Sequence, residues 1–155
     1  MSTPVAIDAG LEPFARLLRA HATVVRRLSQ ELVAEHGLTI NDYEVLLRLA
    51  RAPERRLRRV DLAEQVLLSP SGITRLLEGL ERAGYVERAA CEHDARVSYA
   101  RLTDEGFDKL RVCSKTHVAG IRRLFLDRFD EDERDTLAEL LGRVSGDGDE
   151  ACAPE

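Results

Sequence analysis

The chain has 155 residues, which is enough for one domain or for a compact domain with an appended dimerisation element. Hydrophobic residues make up 44% of it and charged residues 33%, so a packed core is expected and wholesale disorder is excluded. The formal net charge of -5, taken over the whole chain, argues against a nucleic-acid-binding protein, which usually carries a basic surface.

The N-terminal region predicts one long helix. Residues 1–10 show no periodicity and are expected to be a disordered N-terminus. From residue 11 to residue 37 apolar positions recur at alternating gaps of four and three, a spacing typical of a dimerisation seam, and Gly37 is expected to end the helix. The seam consists of Phe14, Leu18, His21, Val25, Leu28 and Leu32.

A second and a third helix are predicted next. Thr39 followed by Asp42 is a capping box, and Pro53 ends the helix that the box begins. The segment 54–59 predicts a basic connector. A short helix follows it, with three side chains turned inward: Leu62, Ala63 and Val66.

The central region predicts a helix and a β-hairpin. Ser69 followed by Pro70 is a helix-start signal, and Gly84 is expected to stop a helix that runs to residue 83. Two short strands, 85–88 and 97–102, flank a polar loop. Three helices followed by a two-stranded hairpin are the order of a winged helix-turn-helix domain.

Two more helices complete the predicted fold. Thr103 caps the fifth helix, Asp130 with Glu133 forms a capping box for the sixth, and residues 146–155 predict a disordered acidic tail. The predicted fold class is therefore mainly α, in the order α-α-α-α-β-β-α-α. The winged helix-turn-helix domain covers 38–102, and the dimerisation helices cover 11–37 and 103–145.

The fourth helix has two different faces. Four aliphatic side chains, at positions 73, 76, 77 and 80, form a core-facing stripe, while hydroxyl and guanidinium groups lie on the other side. Hydroxyl groups can reach phosphates, and arginine can bind guanine in a major groove. The alternative is an ordinary amphipathic surface helix. The polar face consists of Ser71, Thr74, Arg75, Glu78 and Arg82, with Gly72 leaving room for close approach.

Charge distribution and the hairpin loop favour the DNA-binding alternative. Residues 48–101 contain eleven arginines and eight acidic residues, a net charge of +3, which leaves -8 for the remainder. In the loop 91–96, Arg96 fits insertion into a minor groove, and Asp94 could orient it by a charge-assisted hydrogen bond. The alternative for this pair is a solvated surface salt bridge.

The stretch from Leu38 to Gly106 resembles the core of the MarR family of bacterial regulators. The most specific pieces are "LSPSGITRLLEGLERAGYVER", the wing residues "DAR" and "LTDEG", which occur in the family's order and spacing. The resemblance implies a homodimer that binds a pseudo-palindromic operator, usually as a repressor. It implies DNA contacts by the recognition-helix residues Ser69, Ser71, Gly72, Thr74 and Arg75 and by the wing pair Asp94 and Arg96. The family often has two adjacent basic residues after the aspartate, whereas here the first is Ala95.

The resemblance also implies a small phenolic or anionic effector, bound near His21, Tyr43 and His117. A histidine on a mostly apolar helix face is, alternatively, a satisfied core residue. Cys113 and His117 have the i, i+4 spacing of two metal ligands, but two ligands do not make a site, so we expect no metal and no cofactor. Oxidation of Cys91 could disturb DNA contact by the wing, but a free surface thiol without function is the favoured interpretation.

Two other functional classes fit the sequence less well. A winged domain that binds protein instead of DNA agrees with the overall charge but not with the local basic region. An enzyme is disfavoured because no phosphate-binding loop, zinc motif or activated nucleophile is recognisable. We expect no secretory leader, because no basic stretch followed by an apolar one opens the sequence, and no membrane, because no apolar run reaches about 18 residues. Three widely spaced cysteines, Cys91, Cys113 and Cys152, indicate a reducing cytoplasm.

Overall fold

The computed structural model describes residues 9–90 and 97–145, which divide between residues 118 and 119 into two compact units. The described residues are mainly helical and carry a small antiparallel sheet, which confirms the predicted winged helix-turn-helix class. In chain order the elements are α1 (Glu12–His36), α2 (Ile40–Arg51), β1 (Arg56–Arg58), α3 (Arg59–Gln65), α4 (Pro70–Arg82), β2 (Val86–Ala90), β3 (Ser98–Leu102), α5 (Asp104–Leu124) and α6 (Glu131–Ser145).

Helix boundaries follow the local signals of the sequence. Asp42 donates its backbone N–H to Thr39 Oγ1 at 3.2 Å, and Thr39 N–H donates to Asp42 Oδ2 at 2.8 Å, which completes the capping box of α2. Ser69 Oγ accepts the Gly72 N–H at 3.1 Å at the start of α4. Gly37 and Gly84 end their helices with φ of 69° and 79°, a region in which glycine is unstrained.

The sheet has three strands, in the order β1-β3-β2, among the described residues. The sequence predicted an irregular connector at residues 54–59 and a sheet of only two strands. Both predictions were wrong, because residues 56–58 form a third strand that pairs with β3. Leu57 is opposite Ala100 and packs against the core, while Arg56 and Arg58 are exposed on either side of it. Only a partner more than forty residues away makes this short segment a strand, so no local pattern marks it.

The core of the first unit is aliphatic and collects residues from every helix between α1 and α5. The predicted stripe of α4 is confirmed, because Ile73, Leu77 and Leu80 are buried and Leu76 packs against them. Cys113 of α5 is fully buried, and burial raises the pKa of its thiol despite the opposing charge of Lys109. The predicted inward side chains of α3 are likewise buried or partly buried: Leu62, Ala63 and Val66.

The N-terminus of α5 is fixed to the turn that follows α4. Thr103 N–H donates to Tyr85 O at 3.1 Å, and Thr103 Oγ1 donates to Gly84 O at 2.7 Å. Gly106 N–H then donates to Thr103 Oγ1 at 3.0 Å. A Cβ at Gly106 would lie 2.1 Å from Tyr85 O, so only glycine allows α5 to approach this turn. The position of α4 is thereby tied to that of α5.

The second unit contains the end of α5, a 3-10 turn at residues 126–128, and α6. The predicted capping box is confirmed by the bonds Glu133 N–H to Asp130 Oδ1 at 2.9 Å and Asp130 N–H to Glu133 Oε2 at 3.0 Å. No residue of α6 is buried. Among the described residues, no helix is both long and apolar enough to span a bilayer.

Candidate nucleic-acid interface

The N-terminal turn of α4 exposes a group of hydroxyls. Ser69 and Ser71 are exposed and their Oγ atoms lie 3.2 Å apart, while Thr74 Oγ1 donates to Pro70 O at 2.8 Å. Ser69 and Ser71 share a single hydrogen bond, so one of their two hydroxyls keeps a free O–H donor. Since the helix N-terminus also favours negative charge, this end is suited to phosphate oxygens. The hydroxyls and the buried stripe lie on opposite faces, as the sequence predicts.

The arginines of α4 and those of the segment before α3 differ in whether they form ion pairs. Arg75 and Arg82 are exposed, and neither forms an ion pair within residues 9–90 and 97–145. Three arginines of the connector, Arg55, Arg56 and Arg58, are each paired with a carboxylate, which leaves them less free to bind another anion. These pairs are Arg55–Asp104 at 3.0 Å, Arg56–Glu54 at 2.6 Å and Arg58–Asp61 at 2.7 Å. Arg59, the fourth arginine of the connector, has a buried Nη2 with no hydrogen-bond partner among the described residues. The predicted basic connector is therefore neutralised at three of its four arginines, whereas α4 carries two exposed and free guanidinium groups.

Gly72 has a close neighbour within the chain. A Cβ at this position would lie 3.1 Å from Ser69 Oγ, the atom that caps α4. A larger residue would therefore press on the N-cap itself. The absence of a side chain at Gly72 thus preserves the cap as well as leaving the helix surface open, and the DNA-contact role of this residue stays a prediction.

The predicted wing contacts Asp94 and Arg96, together with Cys91 and Ala95, lie outside the described residues. The strands that lead to them are β2 and β3, whose register runs from Val86 opposite Leu102 to Ala90 opposite Ser98. Arg88 of β2 pairs with Glu81 of α4 at 3.5 Å. The base of the wing is thereby attached to the same helix that carries the free guanidinium groups.

A second candidate site lies between α2 and α5. The rings of Tyr43 and His117 are 4.4 Å apart between centroids and inclined by 40°. Ser114 Oγ donates to Leu110 O at 2.8 Å, so the Tyr43 hydroxyl is the donor in its 3.2 Å hydrogen bond to Ser114 Oγ. Two of the three predicted effector residues therefore meet in this structure.

His117 carries a buried nitrogen, Nδ1, that has no hydrogen-bond partner among the described residues. Burial lowers the pKa of its imidazole, against the smaller opposing effect of Glu44, so the neutral form dominates near pH 7. His21, the third predicted effector residue, is exposed on α1. It lies fifteen residues before His36, which places it about 22 Å along the helix from the end that contacts α5.

The end of α1 supplies a polar contact that the sequence did not single out. His36 Nε2 lies 2.8 Å from Thr116 Oγ1, and Thr116 donates its hydroxyl proton to Glu35 Oε2 at 2.8 Å. His36 Nε2–H is therefore the donor to Thr116. This chain joins α1 to α5 one residue before His117. Because the partners are eighty residues apart, no spacing in the sequence indicates it.

The Cys113 and His117 pair does not extend into a metal centre in the described part of the chain. No group of three or more histidine, cysteine or carboxylate side chains is arranged there to hold a metal ion. Cys113 lies in the aliphatic core, where its raised thiol pKa disfavours the thiolate that metals bind.

Comparisons with known proteins agree with this geometry. A family model described as "MarR family" matches residues 36–97, which cover the helix-turn-helix and β2 and end just before β3. The repressor YetL of Bacillus subtilis is similar over 88% of this chain and 81% of its own length, with 30% identity. The chain belongs to the MarR family. It is a winged helix-turn-helix transcriptional regulator and not an enzyme, as the sequence predicts.

Solved MarR-family structures show the same fold. AbsC of Streptomyces coelicolor superposes with a TM-score of 0.81 and 30% identity, over 93% of this chain and 97% of that one. Sco3205 of the same organism, solved in complex with DNA, gives a TM-score of 0.82 and 28% identity, over 97% of this chain and 95% of that one.

Proposed function

We propose that this MarR-family chain binds a pseudo-palindromic DNA operator as a homodimer and represses transcription. The observation that carries the proposal is α4, whose buried stripe leaves the Ser69 and Ser71 hydroxyls and the unpaired Arg75 guanidinium exposed together. A helix with this face fits a major groove, where arginine can form two hydrogen bonds to guanine. The similar Sco3205 was solved in complex with DNA.

A homodimer is supported by apolar side chains exposed in each of the two units. Phe14 on α1 is 61% exposed and Val144 on α6 is 81% exposed. Large apolar side chains exposed to this extent favour a protein interface. A two-fold dimer presents two copies of α4, so it fits half-sites about one helical turn apart. The other exposed apolar residues of these helices are Leu17, Leu18, Val33, Leu140 and Leu141, and Leu11 at the N-cap of α1 is exposed as well.

The first experiment is selection from a pool of random duplexes at near-physiological salt, followed by sequencing. An enriched inverted repeat supports a dimeric, specific regulator. Failure to enrich any sequence, with binding lost at modest salt, contradicts it and favours a winged domain that binds protein. Light scattering at micromolar concentration tests the dimer, and a monomer there removes the basis for a palindromic operator. Transcription in vitro from an operator-bearing promoter tests repression.

The selected operator then tests the recognition helix and the wing. Arg75→Ala should weaken specific binding by about 1–3 kcal/mol and relax the preference at one base pair, because it removes a bidentate base contact. Arg96→Ala should also weaken binding if the wing enters the minor groove. Arg111→Ala is the matched control, since it removes the same charge from an exposed position on α5. Equal losses for all three variants would indicate a non-specific charge effect.

The contact between Tyr43 and His117 supports a site for a small phenolic or anionic effector. The unpaired His117 Nδ1 can form a hydrogen bond to a phenol or, as N–H, to a carboxylate. Release of operator DNA by a panel of hydroxybenzoates should be impaired in His117→Gln and Tyr43→Phe. The distant and exposed His21→Gln should respond like the wild type, and an equal impairment in this variant would contradict an effector site at Tyr43 and His117.

A further inference from the structure

The turn between α3 and α4 contains a leucine in an unfavourable setting. Leu67 has a φ of +54° and is 92% exposed. Its N–H donates to Glu64 O at 3.2 Å, and the N–H of Leu68 donates to Ala63 O at 3.0 Å. This pair of bonds is a Schellman motif, whose left-handed position usually holds glycine because a Cβ is strained there.

The leucine side chain contributes nothing to packing within the protein. Its neighbours Val66 and Leu68 are partly buried and pack against the core, whereas Leu67 points into solvent. A single exposed leucine is ordinary on a protein surface. An exposed leucine at a strained backbone position is unusual, because glycine at that position would avoid both the strain and the exposed apolar side chain.

The position of Leu67 indicates what the side chain contacts. It precedes Ser69, the N-cap of α4, by two residues, so it lies at the same end of the helix as the exposed hydroxyls. A helix that enters a major groove by this end carries the turn to the edge of the groove. The apolar group that bases present in the major groove is the 5-methyl group of thymine.

We propose that Leu67 packs against a thymine 5-methyl group at the edge of each operator half-site, and that it adds to both affinity and sequence preference. The inference rests on the proposed function, because it assumes that α4 enters the groove. It assigns a base contact to a residue outside the recognition helix. It also explains why leucine is present where the backbone favours glycine.

The test is a double-mutant cycle between protein and DNA. Each thymine of the selected operator is replaced in turn by deoxyuridine, which removes only the methyl group. Affinities are measured for the wild type and for Leu67→Ala, which keeps the Cβ and hence the backbone strain. At one thymine per half-site, deoxyuridine should weaken wild-type binding by about fourfold, the effect of one buried methyl group. Leu67→Ala should bind about tenfold more weakly and should not respond to that deoxyuridine.

Val60→Ala is the matched control, because Val60 is an exposed apolar residue of α3 without backbone strain. It should bind the operator like the wild type, and circular dichroism should show all variants folded. Wild-type affinity in Leu67→Ala overturns the inference while leaving the proposed function intact. So does a weakened Leu67→Ala variant that still responds to every deoxyuridine as the wild type does. Absence of any selected operator removes the proposed function and the inference together.

Discussion

The two helices of the helix-turn-helix end in the same backbone motif but with different residues at its left-handed position. At the end of α4, Gly84 N–H donates to Glu81 O and Tyr85 N–H donates to Leu80 O, both at 3.0 Å. At the end of α3 the equivalent bonds are made around Leu67. The φ angles are +79° at Gly84 and +54° at Leu67.

The difference shows how backbone demands and side-chain demands can conflict. The turn after α4 is enclosed by α5, and there the residue that suits the backbone is present. The turn after α3 is open to solvent, and there a residue remains that the backbone disfavours. Strain of this kind persists where the side chain serves another purpose. Substitutions at the two ends should therefore change stability in opposite directions.

Gly106→Ala should have the largest effect on stability. Its Cβ would lie 2.1 Å from Tyr85 O and 2.7 Å from Leu102 Cδ1, so α5 would have to move away from the turn that ends α4. We expect the free energy of unfolding to fall by about 2–3 kcal/mol, measured by urea denaturation. Gly142→Ala, where a Cβ meets nothing within 4 Å, is the control. An unchanged denaturation midpoint for Gly106→Ala would contradict the clamp between α5 and this turn.

Gly84→Ala should have the next largest effect on stability. Alanine in the left-handed region is strained, and its Cβ would approach Glu105 Oε2 to 3.1 Å. Because that carboxylate can move, the loss should reflect the backbone alone and amount to about 1 kcal/mol of unfolding free energy. Thermal denaturation measures it. A gain in stability would show that this helix end does not depend on glycine.

Gly79→Ala serves as the reference for a glycine in an ordinary helical conformation. Gly79 lies inside α4, and a Cβ there would meet only Arg82 Nη2, at 4.0 Å. We expect a gain of about 0.5–1 kcal/mol, because alanine has the higher helix propensity. The same denaturation experiment applies. A loss of stability would indicate that the surface of α4 is more crowded than these contacts show.

Leu67→Gly should have the smallest effect on stability and the opposite sign to Gly84→Ala. Relief of left-handed strain exceeds the added entropy of the unfolded chain, for a net gain of about 0.5 kcal/mol. The same variant should bind operator more weakly, since it lacks the apolar side chain. Melting temperature and operator affinity would then move in opposite directions. A destabilised Leu67→Gly would contradict the comparison of the two helix ends.

Most of the fold could be predicted because its signals are local. The capping boxes at Thr39 and Asp130, the Ser69 cap and the stops at Gly37 and Gly84 each depend on residues within one or two turns. The polar face of α4 follows from helical periodicity in the same way. Strand β1 could not be predicted, because three residues flanked by arginines become a strand only by pairing with β3.

The candidate sites also combine features that local patterns predict with features that depend on long-range contacts. Sequence reasoning selected Tyr43 and His117 but also His21, since a pattern of polar residues on helices does not tell which of them meet. It assigned a basic role to the connector before α3, whereas carboxylates from Asp104, Glu54 and Asp61 neutralise three of its four arginines. It also gave no sign of the strain at Leu67.

The sequence by itself therefore determined the family, the helix boundaries and the two faces of α4, because periodicity and capping act within a few residues. Only the tertiary structure decided which charges remain free, which polar groups meet across α1, α2 and α5, and where the backbone is strained. Those properties depend on contacts between residues about fifty to eighty positions apart, such as Arg55 with Asp104 and His36 with Thr116. Local sequence patterns do not show such contacts, because these contacts form only when the helices and strands pack together.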